Sequence, residues 1–210
     1  MLEFVCEPYE DNSYPEVVQQ ALVIAQMAFR ECGITDLSQR TFDQCEAASL
    51  RAATNARGNV DMRTYIAAQS VQRLECDVPS SNRTLSVLYG PAFVQETEGT
   101  PVDAFGYSIR ELHEAVCSTH NIRRLLLKSK RFNDYAAHFF AYTMAHEAGH
   151  LHDLVDENVA RSLTGRHCAN ICVMRSTSVR ETAEYLEKTG GSVHFCGECA
   201  EDINTATVTD

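Results

Sequence analysis

His146-Glu147-Ala148-Gly149-His150 is the stretch of this 210-residue chain that reads most directly as chemistry. On a helix, residues four apart lie one turn along nearly the same face, so both imidazoles can reach one metal ion. Neutral imidazole nitrogens in an open tetrahedral site suit Zn²⁺. Glu147 lies beside them but off the ligand spacing, where it can take the proton of a water that the metal activates. A five-residue pattern with two free positions can arise by chance in an amphipathic helix. The surroundings argue against chance. The segment NDYAAHFFAYTMAHEAGHLHDLV, beginning at Asn133, has no proline and a single internal glycine, Gly149, and its apolar flanks are those of a buried helix.

Cysteines supply a second ligand set. Cys168 and Cys172 flank three residues, and Cys196-Gly-Glu-Cys199 is a C-x-x-C pair. Two such pairs suit a closed Cys₄ zinc site, and Gly197 is small enough for the tight turn between the last two ligands. Unlinked thiols, or a redox pair at 196 and 199, are the plainer readings of either pair alone. Both pairs together favour structural zinc.

His167 immediately precedes Cys168, and Met174 follows Cys172 by two. The ordered set H-E-x-x-H, H-C, C-x-M and C-x-x-C across residues 146–199 resembles the archaemetzincin family of zinc metallopeptidases, which joins a metzincin zinc motif to a Cys₄ site. Arg123–Ala145 and Ser38–Asp43 are loosely similar to that family as well. The resemblance implies a metzincin-like fold and two zinc ions per chain. His146, His150 and His167 would hold a catalytic ion, with Glu147 as general base. Cys168, Cys172, Cys196 and Cys199 would hold a structural ion. Met174 would form an apolar floor beneath the catalytic metal.

The spacing departs from the family. There the third histidine follows the second by six positions; here His167 follows His150 by 17, an insertion of 11 residues, and Asp153 stands where the family has glycine. Three residues instead of four separate Cys168 from Cys172, and the 21 residues between Met174 and Cys196 make a longer spacer than the family's. A helix continued to Ser162 would end about 18 Å beyond His150, and the five residues on to His167 span at most about 17 Å on the way back. The helix is therefore expected to stop near Asp153 to Asp156, with residues 157–165 looping out and Gly165 turning the chain into His167. Asp156, six beyond His150, is a rival third ligand. His152 is another, and Glu181 and Glu184 are remoter ones.

These residues need elements to position them. Ser13, Pro15 and Glu16 form a helix start, and the helix they open runs to Gly33. Further helices are expected over Asp43–Ala53, Met62–Leu74 and Arg180–Lys188, the last followed by a Gly190-Gly191 turn. Strands are expected over Thr84–Tyr89, Asp103–Ile109 and Arg123–Leu127. The polar tail after Asp202 is expected to fray. The fold class is α+β: a mixed sheet with helices, a long active-site helix and a small loop-rich C-terminal lobe holding the cysteines. The chain reads as a single domain of residues 1–210, with an N-terminal subdomain to about residue 152 and a lobe from about 153. Asp103–Ile109 would be the edge strand that pairs with an extended substrate.

Composition bounds the function. Hydrophobic residues make up 44% and charged residues 22%, enough apolar material for a core. No apolar run approaches the roughly 20 residues that cross a bilayer. A formal net charge of −11 argues against a nucleic-acid partner. The opening MLEFVCEPYEDN lacks the basic start and apolar run of a secretory leader, so a cytoplasmic location is expected. Cys6, Cys32, Cys45, Cys76 and Cys117 lie in or near apolar segments and read as buried thiols. His113, His120, His138 and His194 read as core or surface histidines. The basic run Arg123, Arg124, Lys128, Lys130, Arg131 reads as a solvated face, or a contact for acidic substrates. The sequence thus points to a monomeric zinc-dependent peptidase acting on a peptide or protein, with no nucleic-acid or membrane partner. The alternatives are a non-catalytic, zinc-stabilised protein-binding domain and, disfavoured by charge, a nucleic-acid-binding zinc ribbon.

Overall fold

The computed structural model describes residues 1–8, 15–75, 82–95, 101–126, 135–152, 168, 170–175 and 179–208. In chain order these form β1 (Leu2–Cys6), α1 (Pro15–Glu31), β2 (Leu37–Thr41), α2 (Gln44–Ala53), β3 (Val60–Asp61), α3 (Met62–Glu75), β4 (Arg83–Leu88), β5 (Ala92–Gln95), β6 (Pro101–Asp103), β7 (Gly106–Ile109), a 3₁₀ turn (Arg110–Leu112), β8 (Glu114–Ser118), α4 (Thr119–Leu126), α5 (Ala136–His150), α6 (Val179–Lys188) and α7 (Gly197–Val208).

The main sheet is mixed. Strands β2, β1, β4 and β8 lie side by side and parallel, and β7 ends the row antiparallel to β8. The inner strands are buried on both faces, so LEFVC, RTLSVL and EAVCS lack the polar–apolar alternation of a half-exposed strand. Leu2, Phe4, Cys6, Leu85, Val87, Ala115 and Cys117 join the core formed with α1 and α5. Leu88 and Val116 join a second core with Met62, Tyr65 and Ile66 of α3. Helices therefore cover both faces, as parallel crossovers require. Helix α5 is apolar nearly all round and lies within the larger core. Helix α1 ends as its sequence dictates. Gly33 takes φ 86, and the amides of Gly33 and Ile34 return to the carbonyls of Arg30 and Phe29.

The face beneath α2 and α3 also carries buried charge. Arg73 bridges Glu114 of β8 and donates to the Thr84 hydroxyl at 2.5 Å. Arg40 clasps Glu46, which caps the Asp43 amide and accepts from Gln69 at 3.1 Å. Burial pushes the Glu114 carboxyl up to about 7, with Arg73 pulling the other way.

A small sheet of order β3-β5-β6 lies beside the main one. Asn121 of α4 links the two, its amide nitrogen donating to the carbonyls of Ala92 and Ala104. That contact explains one correction to the sequence reading. Asp103–Ile109 is not one strand, because the chain leaves the small sheet at Asp103 and enters the main one at Gly106. Residues Arg123–Leu126 lie in helix α4, not in a strand, with Ile122 and Leu126 four apart on its buried side. The tail after Asp202 continues as α7 to Val208 instead of fraying. Cys6, Cys32 and Cys117 are buried free thiols as expected, but Cys45 is half-buried and disulfide-bonded, with its partner outside the described residues. Ser13, Cys76, Lys128, Lys130 and Arg131 also lie outside them. No helix among the described residues is long and apolar enough to cross a membrane.

The Arg73–Glu114 pair yields a stability test. A carboxyl whose folded pKa exceeds its unfolded value contributes stability at low pH and loses it as pH rises from about 4.5 through about 7. Arg73→Leu should cost about 3–5 kcal/mol at pH 8, where it strands a buried carboxylate. At pH 5 the cost should shrink, because Glu114 can take a proton. Urea unfolding at both pH values checks this, and an equal deficit at the two would contradict it.

Candidate metal centres and active site

Helix α5 brings the two histidines together as their spacing predicts. Their Nε2 atoms lie 3.3 Å apart and the rings stand at 90° with centroids 4.8 Å apart. Two nitrogens held by one tetrahedral zinc at about 2.05 Å would lie about 3.3 Å apart. The pair is therefore spaced for a shared ion. His146 has a fixed ring. Its Nδ1 lies 2.8 Å from the Val173 carbonyl oxygen, and because a carbonyl only accepts, Nδ1 carries the hydrogen and Nε2 presents its lone pair. Tyr142, one turn back, stacks on His146 at an interplanar angle of 15° and donates to the Arg175 carbonyl at 3.0 Å.

The end of the helix is anchored just past His150. The buried Arg83 of β4 donates through Nε to the Leu151 carbonyl at 2.8 Å, satisfying one of the carbonyls that a helix terminus leaves open. His152 is buried with its ring 5.5 Å from that of Phe29, and the Phe29 ring lies 5.0 Å from that of Phe195. Helix α1 thereby packs against both the end of α5 and the segment that leads into α7. Among the described residues, no third His, Cys, Asp or Glu joins His146 and His150 as a donor cluster. His152, Glu181 and Glu184 therefore do not complete that set. The other candidates, His167 and Asp156, and the insertion between them lie outside the described residues.

Glu147 projects against strand β7. A Cβ placed on Gly106 would come within 2.4 Å of Glu147 Cγ and 2.7 Å of its Cδ, so only glycine leaves room for this carboxyl. Two residues along the same strand face, Ser108 lies near enough to the Glu147 carboxyl to favour its charged form. Burial pushes the metal-free carboxyl up to about 8, and Ser108 pulls it down. Sequence reasoning missed Gly106 and Ser108 as partners of Glu147. A glycine within a strand pattern was the available signal, since it often marks a close approach.

The four cysteines meet as predicted. All four Sγ atoms lie within 4.8 Å of one another. Cys168 and Cys196 are 3.7 Å apart, against about 3.8 Å for two thiolates sharing a tetrahedral zinc at about 2.3 Å. Backbone amides point at the sulfurs: Asn170 to Cys168 at 3.4 Å, Met174 to Cys172 at 3.4 Å and Cys196 to Cys172 at 3.3 Å. Hydrogen bonds from Cys199 and from the amides of Cys196 and Met174 hold the Cys172 thiol below its ordinary range. Cys196 immediately precedes α7, and Cys199 lies in its first turn. Burial pushes Cys6 up to about 12, and Cys32 and Cys168 up to about 11, while the contact with Cys172 and burial raise Cys199. Among the described residues His113, His120, His138 and His194 join no donor cluster.

The Gly106 contact makes a direct prediction. Gly106→Ala should displace the Glu147 carboxyl while leaving the histidine pair and the thiol cluster in place. Metal content should stay at the wild-type level, and any Glu147-dependent turnover should fall by at least tenfold. Unchanged turnover would show that the close approach has no bearing on the chemistry.

No protein-family model matches this chain, and no curated protein matches it in sequence. Its structure is similar to the crystal structure of a zinc-dependent peptidase from Methanocorpusculum labreanum (strain Z), with a TM-score of 0.62 over 97% of this chain and 100% of that one. The two are 15% identical, so the likeness is one of fold.

Proposed function

We propose that the chain is a zinc-dependent peptidase. The observation that carries the reading is the 3.3 Å spacing of the His146 and His150 Nε2 atoms, with Glu147 on the same helix. The fold shared with a zinc-dependent peptidase supports it. The fold likeness does not reach the subfamily. The archaemetzincin assignment rests on the cysteine and histidine order alone.

In this reading His146, His150 and His167 hold the catalytic ion, and Cys168, Cys172, Cys196 and Cys199 hold a structural one. Zinc at the histidines supplies a Lewis acid that acidifies water and polarises a carbonyl. The chain's own residues do the rest. Strand β7 lies at the end of the main sheet, antiparallel to its neighbour. An extended peptide added along it would pass beside Glu147. Glu147 takes the proton of the attacking water on a carboxylate oxygen and delivers it to the leaving amine nitrogen. Ser108 and Gly106 hold that carboxylate in place. Met174, fully buried beside the cysteines, serves as the apolar floor. We read residues 1–210 as one catalytic domain, with an N-terminal subdomain to about residue 152 and the cysteine lobe beyond. It acts as a monomer on peptide or protein substrates, without nucleic acid or membrane.

Two measurements test this. Metal analysis of the purified chain should approach two zinc equivalents, falling towards one when Cys196 and Cys199 are both replaced by serine; a single equivalent untouched by that change would remove the Cys₄ assignment. Glu147→Gln keeps the size and the hydrogen bonding but cannot take a proton. It should retain zinc and lose about 10²–10⁴ in turnover of a mixed peptide library, whereas His150→Ala should lose the catalytic metal. Equal cleavage by wild type and Glu147→Gln, or none by zinc-loaded wild type, would replace the peptidase with a zinc-stabilised binding module.

A further inference from the structure

The two ligand sets share no residue, yet the backbone of one residue, Val173, joins them. Val173, fully buried, sits between Cys172 and Met174. Its carbonyl accepts from His146 Nδ1 at 2.8 Å, and its amide donates to the His194 carbonyl at 3.1 Å. The neighbouring groups are engaged too. The Met174 carbonyl accepts from the Cys168 amide at 2.9 Å, and the Cys196 amide points at Cys172 Sγ at 3.3 Å. The Tyr185 hydroxyl donates to the His194 carbonyl at 3.4 Å, and the Tyr185 ring meets Tyr142 edge-on at 5.2 Å. The arm 172–175 is thus drawn to the four sulfurs on one side and to α5 on the other. Where it stands decides where the Val173 oxygen stands.

We propose that the Cys₄ lobe is a positioning device for the histidine site. Closing the four sulfurs around an ion fixes the arm, and the arm's Val173 carbonyl fixes the ring orientation and tautomer with which His146 offers Nε2. The thiolate site therefore fills first and strengthens metal binding at the histidines. This rests on the metal reading of His146 and His150 and not on peptidase activity. The physical basis is general: the partner of a ligating histidine's other nitrogen orients the ring, and losing that partner typically costs about 10–100-fold in metal affinity.

Cobalt(II) tests the proposal in the full chain, because thiolate sites give intense near-ultraviolet charge-transfer bands that histidine sites lack. In a titration of metal-free wild type, the thiolate charge-transfer band should saturate with the first equivalent, and the second equivalent should add ligand-field absorption without further charge transfer. In Cys196→Ser, cobalt affinity at the histidines should fall about 10–100-fold. Cys196→His, which restores a fourth donor, should recover it. Nitrogen-15 spectra should show the Nδ1–H tautomer of His146 in wild type and Cys196→His, and a mixture in Cys196→Ser. If Cys196→Ser does not fold, the wild-type order of filling and the Cys196→His affinity still decide. Histidines that fill first, or with the same affinity whether or not the thiolate site is closed, would overturn the proposal. Cobalt that never reaches the histidines of wild type would overturn the metal reading beneath it.

Discussion

The hydrogen bond from His146 Nδ1 to the Val173 carbonyl is the interaction on which the rest of this structure turns. A helix can place two histidines on one face through spacing alone, but spacing does not choose which nitrogen each ring presents. That choice comes from the group on the far side of the ring. Here it is a main-chain oxygen on a buried arm whose position is set by cysteines from two separate segments. The catalytic-looking helix and the cysteine lobe are therefore one construction, and the core reflects it. Val173, Met174, Cys172 and Cys199 belong to the same apolar cluster as Phe140, Met144 and Ala148 of α5.

Around that link the fold supplies rigidity where the site needs it and close approach where the chemistry needs it. Three parallel strands, β1, β4 and β8, covered on both faces, hold α5 from below, and Arg83 fixes the helix end just beyond His150. Phe29 ties α1 to both halves of the site through His152 and Phe195. The single antiparallel strand stands at the sheet end, and its first residue, Gly106, gives up a side chain so that Glu147 can lie against it. Burial there disfavours the charged carboxylate, and the Ser108 hydroxyl partly restores it.

The candidate site was more legible in the sequence than the sheet that carries it. Histidines four apart and paired cysteines are metal-ligand spacings whose geometry follows from the helix and from tetrahedral coordination, so their convergence could be foreseen. Helices α1, α2, α3 and α6 were also readable, from capping residues and closing glycines such as Gly33. Strands β1 and β8 were not. Five-residue strands buried on both faces carry no period to read. The segment from Arg123 looked like a strand because its apolar partner Ile122 lies outside the window, while the helical spacing of Ile122 and Leu126 decides its buried face. The hinge between β6 and β7 depends on Asn121, which is distant in sequence from Ala104. The Val173 carbonyl could not be read at all, because a main-chain oxygen leaves no mark in an amino-acid sequence.

The central claim is that His146 and His150 share one metal ion in a site oriented by the cysteine lobe. Diffraction from crystals of the zinc-loaded chain, recorded on both sides of the zinc absorption edge, tests it most directly. The account predicts two anomalous peaks per chain: one inside the four sulfurs, and one about 2.0–2.1 Å from Nε2 of both His146 and His150, with His146 Nδ1 still on the Val173 oxygen. A peak among the sulfurs alone, with the two imidazoles hydrogen-bonded to each other and no ion between them, would contradict it.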